Sequence, residues 1–300
     1  MPPYFDSTAL MSMLRLFPLV VALVLTGCAT NADTPADDGA ALALPDSLPE
    51  ITPENHDAVM VDLFGEATHG IETIGILVYD GVNDLDALGP RYVLGQLMGV
   101  NLQLISIEPG TITTVMGTEL VPNTTIAEVD SLDLLGIPGG FRGTIDATYD
   151  EPLHDWIRRV DATTTYTAAV CTGVWVLGAT GLLEGRNATT NWYRAEEMMA
   201  RYGATFTDER YTNDGKYWTA AGVTAGMDMS LALMNEVAGA AYTQAVMLDM
   251  EYDPAPPISG GSPEATDPGV FNMMKAMYDM GVQTRLDSLD ARAAGGKTDA

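Results

Sequence analysis

Positive charge is what this 300-residue chain has least of: 14 Lys and Arg stand against 41 Asp and Glu, a formal net charge of −27. Lysine occurs only as Lys216, Lys275 and Lys297. Without a basic stripe or patch, the chain is not expected to bind nucleic acid or to hold anionic lipid through charge, since both need clustered cations. An acidic, lysine-poor surface does suit a protein that must stay hydrated in salt. Cysteine is scarcer still, with Cys28 and Cys171 alone, so no disulfide framework can carry the fold. Histidine is limited to His56, His69 and His154. The first two have no metal-ligand neighbour at useful spacing, and His154 is read as a solvent-facing residue on an amphipathic helix. Paired metal ligands, a glycine-rich phosphate loop and a dinucleotide fingerprint are all missing, so no cofactor is expected.

What the chain does have begins with an apolar run, "LFPLVVALVL" over Leu16–Leu25, preceded by Arg15. It is too short to span a bilayer and is right for the apolar part of a signal peptide. The run ends in "LTGCA", a lipobox in which the Cys28 thiol takes the lipid. Met11 or Met13 would give a signal of normal length. The expected organisation is a lipoprotein signal over 1–27, a flexible acidic tether over 28–70, a folded domain over 71–290 and a disordered tail over 291–300. This places the protein on a bacterial cell envelope as a membrane-anchored lipoprotein. Ala29 rather than Asp after the lipobox points to an outer-membrane, periplasm-facing destination. Lipidation of Cys28 would leave Cys171 unpaired in an oxidising setting, where a spare thiol is a liability unless it reacts.

From "ETIGILVYDG" onward the pattern changes to continuous apolar runs of the parallel-strand type. Strands are expected at "GILVY", "NLQLISI", "DLLGIPGG" and Tyr166–Val170, and helices after Asp86, at "EPLHDWIRRV" with Trp156 and Ile157 inward, and from Gly173. A small hairpin is expected at "TVMGTELVPNTTIAEV" and another around "TNDGKYW", with two helices following, "TAGMDMSLALMNEVAG" and "AYTQAVMLDMEY". Strands alternating with helices imply an α/β, doubly wound, mostly parallel sheet, with its site off the carboxyl ends of the strands. Asp86, Gly139, Gly140 and Cys171 all follow strand ends and could meet in one crevice. Met273, Met277 and Met280 recur at helical spacing, as core or subunit contact.

Cys171 stands where an apolar strand gives way to a small-residue helix start. It is either a small buried hydrophobe or a nucleophile whose pKa is lowered by the free N–H groups of the following helix. Asp86 is either a helix cap or a buried acid beside that thiol.

The segments "ILVYDGVNDLDALGP", "DLLGIPGG", "AAVCTGVWVLGATGLLEGRNATTNW", "GVTAGMDMSLALMNEVAG" and "LDMEYDPAPPISGGSPEAT" resemble the DJ-1/PfpI (ThiJ/PfpI) superfamily, within its isonitrile hydratase-like branch. The resemblance implies a class I glutamine-amidotransferase-like, flavodoxin-like sandwich and a homodimer. Its nucleophilic cysteine matches Cys171, the following threonine Thr172 and the acid Asp86. Its oxyanion pocket would use backbone N–H groups near Gly139 and Gly140 and at Thr172. Where the family commonly carries "THW" this chain reads "TNW", so Asn191 occupies the histidine position and no Cys-His-Asp triad is available. The activity implied is cofactor-free hydration of an isonitrile or similar small electrophile through a thioimidate on Cys171. A glyoxalase or deglycase of the same fold, or a non-catalytic small-molecule binding protein, are the alternatives.

Overall fold

The computed structural model describes residues 49–64 and 70–296 of the chain. After a short helix, α1 (His56–Phe64), the chain enters β1 (Thr73–Val78), α2 (Asp84–Leu94) and β2 (Asn101–Ser106). Three short strands follow, β3 (Ile112–Thr113), β4 (Glu119–Leu120) and β5 (Thr124–Thr125), then β6 (Leu134–Ile137), α3 (Arg142–Ala147) and α4 (Glu151–Asp161). Next come β7 (Tyr166–Val170), α5 (Gly173–Ala179), β8 (Asn187–Ala188), α6 (Ala195–Arg201), β9 (Thr205–Phe206) and the hairpin β10 (Tyr211–Asp214) and β11 (Tyr217–Ala220). The long α7 (Ala225–Asp249), α8 (Pro268–Tyr278), a π-helical turn (Asp279–Gln283) and α9 (Thr284–Gly296) close the described chain.

The apolar runs become strands because both faces of the sheet are covered: Ile74, Ile76, Leu77 and Val78 of β1 are all buried, as are Leu134, Leu135 and Ile137 of β6. The main sheet has strand order β10-β11-β7-β6-β1-β2-β5, parallel throughout except for the β10/β11 hairpin at one edge. The chain winds outward from β1 through β2 on one side and from β6 through β7 on the other. The order therefore reverses between β1 and β6, and such a switch point is where an open α/β sheet leaves a crevice at its carboxyl edge.

Local chemistry sets the helices that frame this crevice. Asn83 caps α2, its side chain accepting the N–H groups of Leu85 at 3.0 Å and Asp86 at 3.3 Å. Asp86 is thus freed from capping and buried on the first turn. Asp150 caps α4 through the N–H of Leu153, and Trp156 and Ile157 face the core. The two helices expected after residue 224 are continuous in hydrogen bonding but break at Gly239, whose φ of 81° and ψ of 169° suit glycine alone. The hairpin expected over 114–129 is displaced: β3, just before that segment, pairs antiparallel with β4, while Thr124 and Thr125 join the main sheet beside β2.

Several expectations are corrected. His154 is buried, not solvent-facing, with Nε2 against the Ala147 carbonyl at 2.8 Å, because α3 packs its carboxyl end over this face of α4. Residues 56–64 of the expected tether are helical, with Val59 buried. Residues 291–296 of the expected tail continue α9. Met273, Met277 and Met280 are exposed, so they are not core. The helix α3 and the π-helical turn have no counterpart in the sequence reading. The signal segment over 1–27, Cys28 and His69 lie outside the described residues.

Candidate active site

Cys171 leaves β7 with φ of 59°, the left-handed region that a non-glycine residue occupies only when its surroundings force it. Its N–H donates to the Ala220 carbonyl of β11 at 2.8 Å, and its carbonyl accepts from the Thr190 hydroxyl at 2.8 Å. Those two bonds hold the strained residue at the strand-to-helix turn, as in other nucleophile elbows. Gly222 lets the chain cross the thiol: at its φ of 130° an added Cβ would lie 3.0 Å from Sγ.

The sulfur has three polar neighbours. Asn191 Nδ2 donates to Sγ at 3.3 Å, and its Oδ1 accepts the Tyr193 N–H at 3.0 Å, which fixes which end of the amide faces the thiol. The Thr172 N–H favours the thiolate, and the Asp86 carboxyl opposes it by charge. The sequence reading lowers the Cys171 pKa through the helix start, and here the structure differs. Burial, with Asp86 second, pushes the thiol up. The magnitudes explain this: a helix N-terminus contributes about 0.3–1 kcal/mol, or ~2 when partly buried. Full desolvation of a charge costs several, and Cys171 is only 6% exposed.

Asp86, 1% exposed, lines a small, mostly apolar internal cavity with Pro90, Val170 and Met229. This burial pushes its carboxyl up to about 7, with the Cys171 thiol and the Gly139 N–H pulling the other way. Neither carboxyl oxygen has a hydrogen bond of regular geometry among the described residues. Near neutrality Asp86 therefore passes between its protonated and ionised forms while the thiol keeps its proton.

Of the expected backbone pocket, Gly139 and Thr172 point N–H groups at the pair. Gly140 does not. Its N–H donates to Thr172 Oγ1 at 3.0 Å, while that hydroxyl donates back to the Gly140 carbonyl at 2.9 Å. Thr172 thus locks the loop after β6 to the nucleophile turn, and Gly140 is spent on that lock. An added Cβ on Gly139 would stand 2.7 Å from both Thr172 N and Oγ1, so only glycine permits the approach.

One wall is absent from the sequence reading. Tyr278, at the end of α8, sits among Trp192 (4.9 Å between ring centroids), Tyr193 (5.1 Å) and Phe141 (5.5 Å). Its surroundings include Cys171, Asn191 and Asp86. The clue lay in the aromatic residues after Asn191, but their partner is distant in sequence. No three His, Cys, Asp or Glu side chains among the described residues could hold a metal ion.

Fold and site together define an α/β protein of the flavodoxin-like layered type that presents a buried cysteine at the carboxyl edge of its sheet. The DJ-1/PfpI family model matches residues 72–236, and the chain belongs to this family. It is 36% identical over 221 residues to the isonitrile hydratase of Pseudomonas putida, spanning 74% of this chain and 96% of that one. A crystal structure of a ThiJ/PfpI family protein from Pseudomonas syringae matches with a TM-score of 0.71 at 30% identity, covering 81% of this chain and 97% of that chain. Protein DJ-1 homolog B of Arabidopsis thaliana is 31% identical over 126 residues, 41% of this chain and 28% of that protein.

Proposed function

We propose that the protein is a cysteine-dependent hydratase that converts isonitriles to N-substituted formamides, or adds water to similarly small electrophiles. The observation that carries this reading is the buried pair: a strained Cys171 against an Asp86 whose carboxyl titrates at about 7. The likeness to an isonitrile hydratase supports the choice of substrate class.

The terminal isonitrile carbon accepts a nucleophile and then a proton. In the active form the pair holds one proton. As Asp86 takes it from the thiol, the S–H bond breaks and the sulfur bonds to the isonitrile carbon. Asp86 then delivers that proton to the same carbon, giving a neutral thioimidate. In the second half Asp86, again a carboxylate, takes a proton from water as the oxygen adds to the thioimidate carbon. The second proton of that water passes to the nitrogen as the sulfur, reprotonated through Asp86, departs and the formamide is released. The sum is one isonitrile plus one water. Negative charge on sulfur is stabilised at each stage by the Thr172 N–H and Asn191 Nδ2.

Among the described residues no histidine faces the sulfur, which favours this chemistry over acyl transfer. An α-oxoaldehyde is the second candidate substrate, since a thiol also adds to a carbonyl. Purified protein assayed against isonitriles and α-oxoaldehydes, with Cys171→Ala as the control, tests the proposal. Formamide production that vanishes in Cys171→Ala while the circular dichroism spectrum persists is the expected result; an inert wild type would reject it.

A further inference from the structure

Hydration of an isonitrile must place hydrogen on nitrogen as well as on carbon, and the mechanism above gives Asp86 no route to the nitrogen. The best-placed group for that end of the substrate comes from the C-terminal helix. Tyr278 is half-buried, and three rings fix its own ring. The backbone beside it is pinned as well. Asp279 accepts from the Tyr193 hydroxyl at 2.7 Å and from Lys275 at 2.8 Å, and Gly281 lies so close to the Phe141 ring that a Cβ would meet it at 2.6 Å. The π-helical turn that begins at Asp279 is the kind of local irregularity found often at functional sites.

The polar inventory then directs the phenol. Hydroxyls of Tyr79, Tyr193, Tyr217 and Tyr252 each have a hydrogen-bond partner, whereas that of Tyr278 makes no regular hydrogen bond to a described residue. It faces the Asn191 side chain. Asn191 is fixed with Oδ1 on the Tyr193 N–H, so its nitrogen end offers one N–H to Sγ and a second toward the phenolic oxygen. An amide that donates to the phenol leaves the phenol's own proton available to a molecule bound beside Cys171 and Asp86, which are among its neighbours.

We infer that Tyr278 is the hydrogen-bond donor to the substrate nitrogen, oriented by Asn191 at the position where the family commonly carries histidine. The inference rests on the hydratase reading. Donation to the imine nitrogen of the thioimidate draws electrons from the carbon that water attacks. As the C–O bond forms, the phenol proton passes to nitrogen, and the proton that Asp86 took from water does not follow it but reprotonates the departing sulfur. As the sulfur leaves and the C=O bond forms, the hydroxyl that came from water gives its remaining proton to the phenolate, so tyrosine is unchanged over the cycle.

Tyr278→Phe keeps the ring contacts and removes only the donor. The expected result in the full-length protein is a fall in kcat of about tenfold or more with KM changed less than about twofold, the loss of one hydrogen bond made in the transition state. Asn191→Ala should show a similar fall that is not additive with Tyr278→Phe. An independent readout uses no isonitrile: Cys171 labelling by N-ethylmaleimide, whose carbonyl needs a donor, should slow by about fivefold or more in Tyr278→Phe. Labelling by methyl methanethiosulfonate should not change. If wild type hydrates isonitriles and Tyr278→Phe retains kcat, the inference fails and the hydratase reading stands. If wild type is inert toward isonitriles, that reading fails, and equal maleimide labelling of the two proteins removes the donor role as well.

Discussion

At the residue scale, the site is an argument between burial and proton affinity, and burial wins for both partners. Asp86 is the clearer case: its carboxyl is raised from its ordinary value of 3.8 to about 7. The fully protonated pair must lose one proton before sulfur can attack, so kcat/KM should rise with pH through about 7. Asp86→Asn should erase that limb and lower the rate by about a hundredfold or more. A pH–rate profile of the two proteins checks this. The sign for stability is opposite. Between pH 3.8 and about 7 the folded protein holds a proton on Asp86 that the unfolded chain has released, so this contribution to stability is full below pH 3.8 and is lost as pH rises through about 7. Asp86→Asn should therefore melt with a flatter pH dependence over that window than wild type. That Cys171, Thr172 and Asp86 would come together was legible from motif and position. Their protonation was not, because desolvation depends on Pro90, Val170 and Met229 closing around the carboxyl, and these come from α2, β7 and α7.

At the element scale, the strands could be read because each is a short, continuous apolar run, and α4 because its apolar residues recur at helical spacing. Short pieces could not. The helix α3, six residues long, is too brief to show a face, and the position of α8 over the nucleophile follows from ring contacts with residues about eighty positions earlier. Val270, Met273, Met277 and Met280 are spaced to share one side of α8 and the following turn, and they are 47%, 56%, 52% and 74% exposed. Apolar side chains gathered in this way mark an interaction surface. We propose that a second copy of the chain covers this face. Light scattering at micromolar concentration should report a homodimer, and the double variant Met273→Glu, Met277→Glu should report a monomer. A monomeric wild type would reject the proposal. Because Tyr278 lies on the same helix, covering this face would also stiffen the wall above the thiol.

At the scale of the whole molecule, a doubly wound, mostly parallel sheet was implied by the alternation of elements, whereas the order of its strands was not. The helix at His56–Phe64 was missed because its sequence has no marked apolar face; Val59 is buried in it. A location on the cell envelope rests on the lipobox, and we propose that Cys28 carries lipid there. Replacing Cys28 by Ser should release the protein from the membrane fraction into the soluble one; unchanged retention would reject the anchor. The net charge of −27 gives the molecule no attraction to an anionic bilayer surface, so tethering by lipid would hold it there against its own electrostatics. The enclosure of Cys171 has a further consequence for such a life. A thiolate attacks the peroxides and disulfides that reach it, and Cys171 is buried and its thiol kept protonated at rest. What slows the first step of catalysis also shelters the nucleophile from irreversible oxidation, so that it can remain serviceable without a pool of small reducing thiols around it.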